Sequence, residues 1–177
     1  MWTVRAACVM IGMKENAGGA NMAGRIEARL AELGIELPEP QEPKVAMILN
    51  AVIANDFLFV SGQITQWNGE RRFIGKVGRE FSVEEGRQAA RLSALNVLAQ
   101  AKKALDGDLD RIERVVKLKG YVNAAPDFTD IPQVVNGASE LMIDIFGEAG
   151  RHARTAIGAA VMPFGVAIEV EARFLVR

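Results

Sequence analysis

GRHARTAIGAAVMPFGVAIEVEARFLVR, residues 150–177, reads as two strands of different character. The second half alternates: Val166, Ile168, Val170, Ala172, Phe174 and Val176 fall on one side, and Ala167, Glu169, Glu171, Arg173 and Arg177 largely on the other. That is the period of a half-buried strand. The first half carries one large cation, Arg154, and then only small residues at every second place, Ala156, Gly158 and Ala160. A four-residue loop at 162–165 would pair Val161 with Val166 in a closing hairpin. In that register Arg154 shares a face with Glu169, Glu171 and Arg173, Gly158 lies opposite Glu169, and Ile157 and Val161 join Val166, Ile168 and Val170 on the other face. The small residues then leave a hollow floored by backbone, with a guanidinium at one end and a carboxylate beside it.

A guanidinium grips a carboxylate through two parallel hydrogen bonds and stays charged at any physiological pH, so the hollow suits a small anion. A neighbouring carboxylate could hold or activate a water, and backbone N–H groups could orient a carbonyl or imine. Spacing alone favours a plainer outcome, a cross-strand ion pair of Arg154 with Glu169 or Glu171 worth about 0.2–1 kcal/mol.

Working back from this stretch, Pro132 in a first turn followed by apolar residues at helical spacing and then Gly147 predicts a long helix. RIERVVKLKGYVNA before it reads as a strand, on which Lys117 and Lys119 share a solvated or interfacial face. Ser82 with Glu85 is a capping box, and the apolar positions that recur up to Gly107 predict a second long helix. VAMILNAVIA and FLFVSGQ are two apolar runs separated by Asn55 and Asp56, a hairpin of two buried strands. RRFIGKVGREF is a weaker strand. Residues 22–34 make a short amphipathic helix ended by Gly34, and the prolines of LPEPQEP make an extended connector. Two helices cover only one face of such a sheet, so its other face must meet solvent or another chain.

The 177 residues, half of them hydrophobic, suffice for one domain that hides roughly 70% of its unfolded surface. The expected organisation is an N-terminal extension, residues 1–21, followed by a single domain over residues 22–177. Twenty-one Lys and Arg against 22 Asp and Glu, with no cluster of like charge, point to no nucleic acid and no membrane surface. The apolar run 6–13 is too short to span a bilayer and has no convincing cleavage site behind it. The only cysteine, Cys8, can build neither an internal disulfide nor a zinc cage, which fits a reducing, cytoplasmic setting. His152 is the only histidine; with no HExxH, it reads as a polar residue in the loop before a strand. NAGGANMAG and GKVG match neither a P-loop nor a dinucleotide fingerprint.

Taken together, FLFVSGQ, QAARLSALNVLA, RVVKLKGYVNAAPDF, VVNGASELMIDIFG and ARTAIGAAVMPFGVAIEVEA resemble the RidA (YjgF) family of imine deaminases over residues 45–177. GRHARTA is similar to a longer branch of that family. The resemblance implies a chorismate mutase-like α+β fold, with two long helices on one face of a mixed sheet and a homotrimer whose sheets form a central barrel. Active sites would lie in clefts between subunits and use no cofactor or metal. The implied activity is hydrolysis of reactive 2-imino acids and their enamine tautomers, such as 2-aminoacrylate, to 2-oxo acids and ammonia. By position, Arg154 would bind the substrate carboxylate and Glu169 would handle the attacking water, while Ser61, Gly62 and Asn136 would line the pocket. Short members carry a tyrosine where this chain has Ile48, which removes a hydroxyl and favours, as alternative, a non-catalytic protein that binds 2-oxo acids. Endoribonuclease or translation-inhibitor activity, attached to some members, finds no basic stripe here.

Overall fold

The computed structural model describes residues 24–43 and 47–177. The expected extension at 1–21, the start of the expected first helix at 22–23, and residues 44–46, which include the first two positions of the first apolar run, lie outside the described residues. Helix α1 spans Arg25–Glu32 and ends at Gly34, whose φ of 63° is the left-handed conformation that a C-terminal cap needs. After the proline connector, β1 (Ala51–Ala54) and β2 (Phe57–Ile64) form the expected hairpin around Asn55 and Asp56. The first run is less of a strand than its apolarity suggests. Residues 47–50 stay outside the sheet, with Ile48 54% and Leu49 70% exposed, and β1 is an edge strand whose Val52 and Ile53 are each 44% exposed.

A two-stranded ribbon follows, β3 (Gln66–Trp67) and β4 (Glu70–Arg71). Its turn is Asn68-Gly69, with φ of 49° and 87°, the positive values that a two-residue hairpin loop requires. Of the strand anticipated in RRFIGKVGREF, Arg71 ends β4 and the rest forms only isolated bridges, Ile74 to Val166 and Val77 to Phe81 and Ala124. Helix α2 (Val83–Ala104) starts in the capping box read from the sequence: Ser82 Oγ accepts from Glu85 N–H, and the Glu85 carboxylate accepts from Ser82 N–H. Strand β5 (Ile112–Asn123), helix α3 (Ile131–Phe146), strand β6 (Ala153–Ala159) and strand β7 (Ile168–Val176) complete the chain.

The five long strands form one mixed sheet in the order β1-β2-β7-β5-β6, antiparallel except for the parallel pair β5 and β6. Helix α2 lies over β2 and β7, and α3 over β5 and β6, so both long helices cover the same face. Leu58, Leu98, Leu118, Leu141, Met142 and Phe174 are fully buried between them. On the open face Val52, Phe57, Phe59 and Ile157 remain substantially exposed. No helix among the described residues is long and apolar enough to cross a membrane.

The expected hairpin of the last two strands does not form. Strand β5 lies between them, paired with β6 on one side and β7 on the other. The connection at 160–167 is long enough to pass over β5, and α3 is a crossover that returns β6 parallel to β5. This moves Arg154 to the opposite face from the one expected. Arg154 is level with Leu118, and Leu118 with Ala172, all on the helix side; Glu169 is level with Tyr121, and Tyr121 with Ile157, on the open side. Ile157 accordingly is 45% exposed instead of facing the helices.

The small residues after Arg154 now have their explanation. They seat α3: Ala156 packs against the core, and a Cβ at Gly158 would already lie 3.3 Å from Ile131 Cδ1 at the start of that helix. What the sequence presents as a hollow is filled by helix.

Candidate functional site

The five residues singled out by the sequence fall into two groups. The first lies where the edge strand β6 passes beneath the middle of α3. Asn136 and Ser139 are one helical turn apart on α3 and therefore face the same way. Arg154 Nη1 donates to Asn136 Oδ1 at 2.7 Å and to Ser139 Oγ at 3.2 Å. Both hydrogens of Nη1 are thereby engaged. The Nε–H and Nη2 hydrogens form the other edge of the guanidinium, the edge that fits a carboxylate in two parallel bonds. Among the described residues no carboxylate pairs with Arg154, so the expected cross-strand ion pair with Glu169 or Glu171 is absent. Behind Ser139 stands His152, whose Nε2 is 3.0 Å from Ser139 Oγ and whose Nδ1 is 2.6 Å from the Gly150 carbonyl oxygen.

The second group surrounds Glu169 on β7. Pairing of β2 with β7 slips by one residue between Val60 and Gln63, a bulge that contains Ser61 and Gly62. A bulge redirects the side chains around it, and here it opens the strand at a glycine. The Glu169 side chain lies across Gly62, and a Cβ at that position would overlap its carboxylate. Ser61 anchors the bulge: its Oγ donates to the Leu49 carbonyl oxygen at 2.7 Å and its N–H to that of Asn50 at 2.8 Å. Gly62 and Glu169 line a cavity of about 460 Å³ together with Ile48, Ile64, Arg71 and Phe164. The Arg71 guanidinium stacks 3.9 Å from the centre of the Phe164 ring at its rim. No hydrogen bond or ion pair reaches the Glu169 carboxylate from the described residues. Burial, assisted by the negative charge of Glu171, raises its pKa above the usual carboxylate value. A half-buried carboxylate whose pKa is raised is suited to exchange a proton with a water.

The two groups do not meet within one chain. Arg154 and Glu169 are two strands and three residues apart, about 14 Å between Cα atoms from strand spacing, and they project from opposite faces. A larger cavity, about 570 Å³ between α1 and the end of α2, touches neither group and contains the Lys102–Glu27 ion pair. Among the described residues no three His, Cys, Asp or Glu side chains converge as a metal site would require. Sequence reasoning missed Ser139, and it set His152 aside as a polar residue in the loop before a strand, which is where it lies, just ahead of β6. Their only linear signal was Ser139 three residues after Asn136 on a predicted helix, and His152 two before Arg154 on a predicted strand.

This architecture has recognisable relatives. Residues 27–172 match the family described as "YjgF/chorismate mutase-like, putative endoribonuclease". The chain belongs to the YjgF family. It is 46% identical over 151 residues to Protein TCP17 of Trypanosoma cruzi, a match that covers 85% of this chain and 93% of that protein. A crystal structure of a protein of unknown function from Agrobacterium tumefaciens is 43% identical, with a TM-score of 0.79 over 86% of this chain and 93% of the other. A "putative endoribonuclease" from Shewanella oneidensis is 35% identical, with a TM-score of 0.82 over 85% and 99%. The mixed sheet carrying two long helices on one face is thus the chorismate mutase-like α+β fold that the YjgF resemblance implied.

Proposed function

We propose that the protein hydrolyses reactive 2-imino acids and their enamine tautomers to 2-oxo acids and ammonia. The sites form where the Arg154 corner of one copy meets the Glu169 cavity of another in a homotrimer. The observation that carries this reading is the guanidinium of Arg154, held along one edge by Asn136 and Ser139 and, among the described residues, paired with no carboxylate along the other. The open sheet face, with Val52, Phe57 and Phe59 exposed, gives the copies an apolar surface on which to assemble.

In the proposed reaction Arg154 holds the substrate carboxylate. Glu169 takes a proton from water as the oxygen bonds to C2, the electron pair of C=N moves to nitrogen, and Glu169 passes that proton to the nitrogen. In the resulting 2-amino-2-hydroxy acid the hydroxyl proton passes by way of Glu169 to the amine, the C–N bond breaks to release ammonia, and C=O forms. An enamine is first protonated at C3. Water is the only co-reactant, so atoms and charge balance without a cofactor. The apolar walls given by Ile48, Ile64 and Phe164 suit a substrate with a small apolar side chain.

Ammonia release from 2-aminoacrylate, generated in place by a pyridoxal-phosphate lyase, is expected to fall about 100-fold in Arg154→Ala while the size of the assembly is unchanged. Equal rates in variant and parent would overturn the proposal. The pH profile offers a second check. Because Glu169 acts ionised and its pKa is raised, the enzymic rate above background should decline on the acid side at a pH higher than the 4.5 of a solvated glutamate. A decline at or below that value would remove Glu169 as the base.

Ile48 in the cavity wall, where short relatives place a hydroxyl, favours a second reading as a non-catalytic receptor for 2-oxo acids. Thermal stabilisation by a 2-oxo acid, with no turnover of any imine offered, would select it. RNA cleavage draws no support from a chain with 21 basic and 22 acidic residues. Strong, salt-dependent RNA binding would reverse that judgement.

A further inference from the structure

His152 and Ser139 form a chain of hydrogen bonds behind Arg154, and its direction can be read atom by atom. The Gly150 carbonyl oxygen can only accept, so the proton of the imidazole sits on Nδ1. Burial, and to a smaller degree the positive charge of Arg154, hold the pKa of His152 below the usual histidine value, against the opposing pull of the Gly150 bond, and the ring is neutral at neutral pH. A neutral ring protonated on Nδ1 has a lone pair on Nε2, so Ser139 Oγ–H donates to it at 3.0 Å. With its hydrogen directed there, Ser139 Oγ presents a lone pair to Arg154 Nη1 at 3.2 Å. Asn136 Oδ1 takes the other hydrogen of the same nitrogen.

We propose that His152 is a positioning residue for the anion-binding guanidinium: through Ser139 it fixes Nη1 against α3, and so aims the Nε–Nη2 edge of Arg154 at an incoming carboxylate. This rests on the reading of Arg154 as the carboxylate-binding residue and adds to it the part of the chain that orients the arginine. Without an acceptor at Nε2, the Ser139 hydroxyl would turn to the carbonyl one helical turn back, as helical serines do. Arg154 would keep its bond to Asn136, but its second point would be a hydroxyl no longer pinned from behind, free to turn away and let the guanidinium swing. A carboxylate is gripped equally in ground and transition states, so the loss should appear in binding and in KM and leave kcat nearly unchanged.

Two conservative variants separate this role from simple packing. Glutamine places an amide oxygen near the position of Nε2 and can still accept from Ser139. Asparagine can keep the Gly150 bond but is too short to reach Ser139. The experiment titrates the full-length protein and its His152→Ala, His152→Asn, His152→Gln, Ser139→Ala and Arg154→Ala variants with pyruvate by calorimetry, and measures kcat and KM for 2-aminoacrylate.

The Kd for pyruvate and the KM are expected to rise about five- to tenfold in His152→Ala, His152→Asn and Ser139→Ala, with kcat within about twofold of the parent. His152→Gln should return to within about twofold of the parent in both. Equal weakening in Gln, Asn and Ala variants would make His152 a packing residue and overturn the proposal, as would parent-like binding in His152→Ala. Pyruvate binding that survives Arg154→Ala would instead overturn the functional reading itself. Pyruvate binding that depends on Arg154 but not on His152 would sink only the present inference.

Discussion

Co-expressing Arg154→Ala chains with Glu169→Gln chains is expected to restore about a quarter of the parental deaminase rate, although either variant alone is close to inactive. The figure follows from the geometry of the chain. Arg154 and Glu169 project from opposite faces of one sheet, so the proposed site takes its arginine from one copy and its glutamate from the next. In randomly mixed trimers a site has both only when the arginine comes from a Glu169→Gln chain and the glutamate from an Arg154→Ala chain. That is one half times one half, or about 25% of sites. Assaying ammonia release from the whole co-expressed pool measures it; assemblies purified through two different affinity tags, from which the uniform trimers are removed, should instead reach about one third, one intact site in three. Recovery of no activity would mean that one chain supplies both residues to each site, which the sheet register forbids, or that the pair does not act together. Either outcome ends the proposed mechanism.

The second large effect concerns the helix that carries Asn136 and Ser139. Gly137→Ala is expected to destabilise the protein by about 3 kcal/mol or more, and to lower Tm by about 10 °C. Helix propensity alone predicts the reverse, since alanine is better than glycine in a helix interior by about 1 kcal/mol. Packing decides against propensity, because a Cβ on Gly137 would run into the Arg87 carbonyl oxygen on α2, and backbone cannot move aside as a flexible side chain would. Helices α2 and α3 would have to separate, loosening Val134, Val135 and Ala138 from the core and carrying Asn136 away from Arg154. Thermal unfolding followed by circular dichroism tests this, and a Tm equal to or above that of the parent would show that the helices separate at little cost.

The two helices show what a linear reading can see. The start of α2 is written in Ser82 and Glu85, a local signal that tertiary packing has no reason to override. The apolar spacing along α3 is equally local, but nothing in the spacing marks Gly137 as the point where two backbones touch. The Asn68-Gly69 turn went unread although its dipeptide is a strong hairpin signal, because the strands on either side are only two residues long and leave no alternating pattern to notice.

The error at the end of the chain has a deeper source. Alternation told correctly which residues of β6 share a face with Arg154 and which of β7 share one with Glu169. It could not tell which strands are neighbours, and placing β5 between them reverses the relation between the two faces. For the site, the family resemblance supplied Arg154, Asn136, Ser61, Gly62 and Glu169, and the structure joins the first two through a hydrogen bond and the last two through contact. Ser139 and His152 could not be found this way, since their relation to Arg154 exists only once β6 is laid under α3.

The insertion of β5 also orders events during synthesis. The hairpin β1–β2 on one side, and β5 with α3 and β6 on the other, share no strand pairing except through β7. Until residues 168–176 emerge from the ribosome, the edges of β2 and β5 that will flank them are bare, and the space for Phe174 and Ile168 beneath the helices is unfilled. Two half-sheets must therefore wait, exposed, for the last strand of the sheet to enter between them like a keystone, and a nascent chain paused just short of it offers both bare edges to other chains.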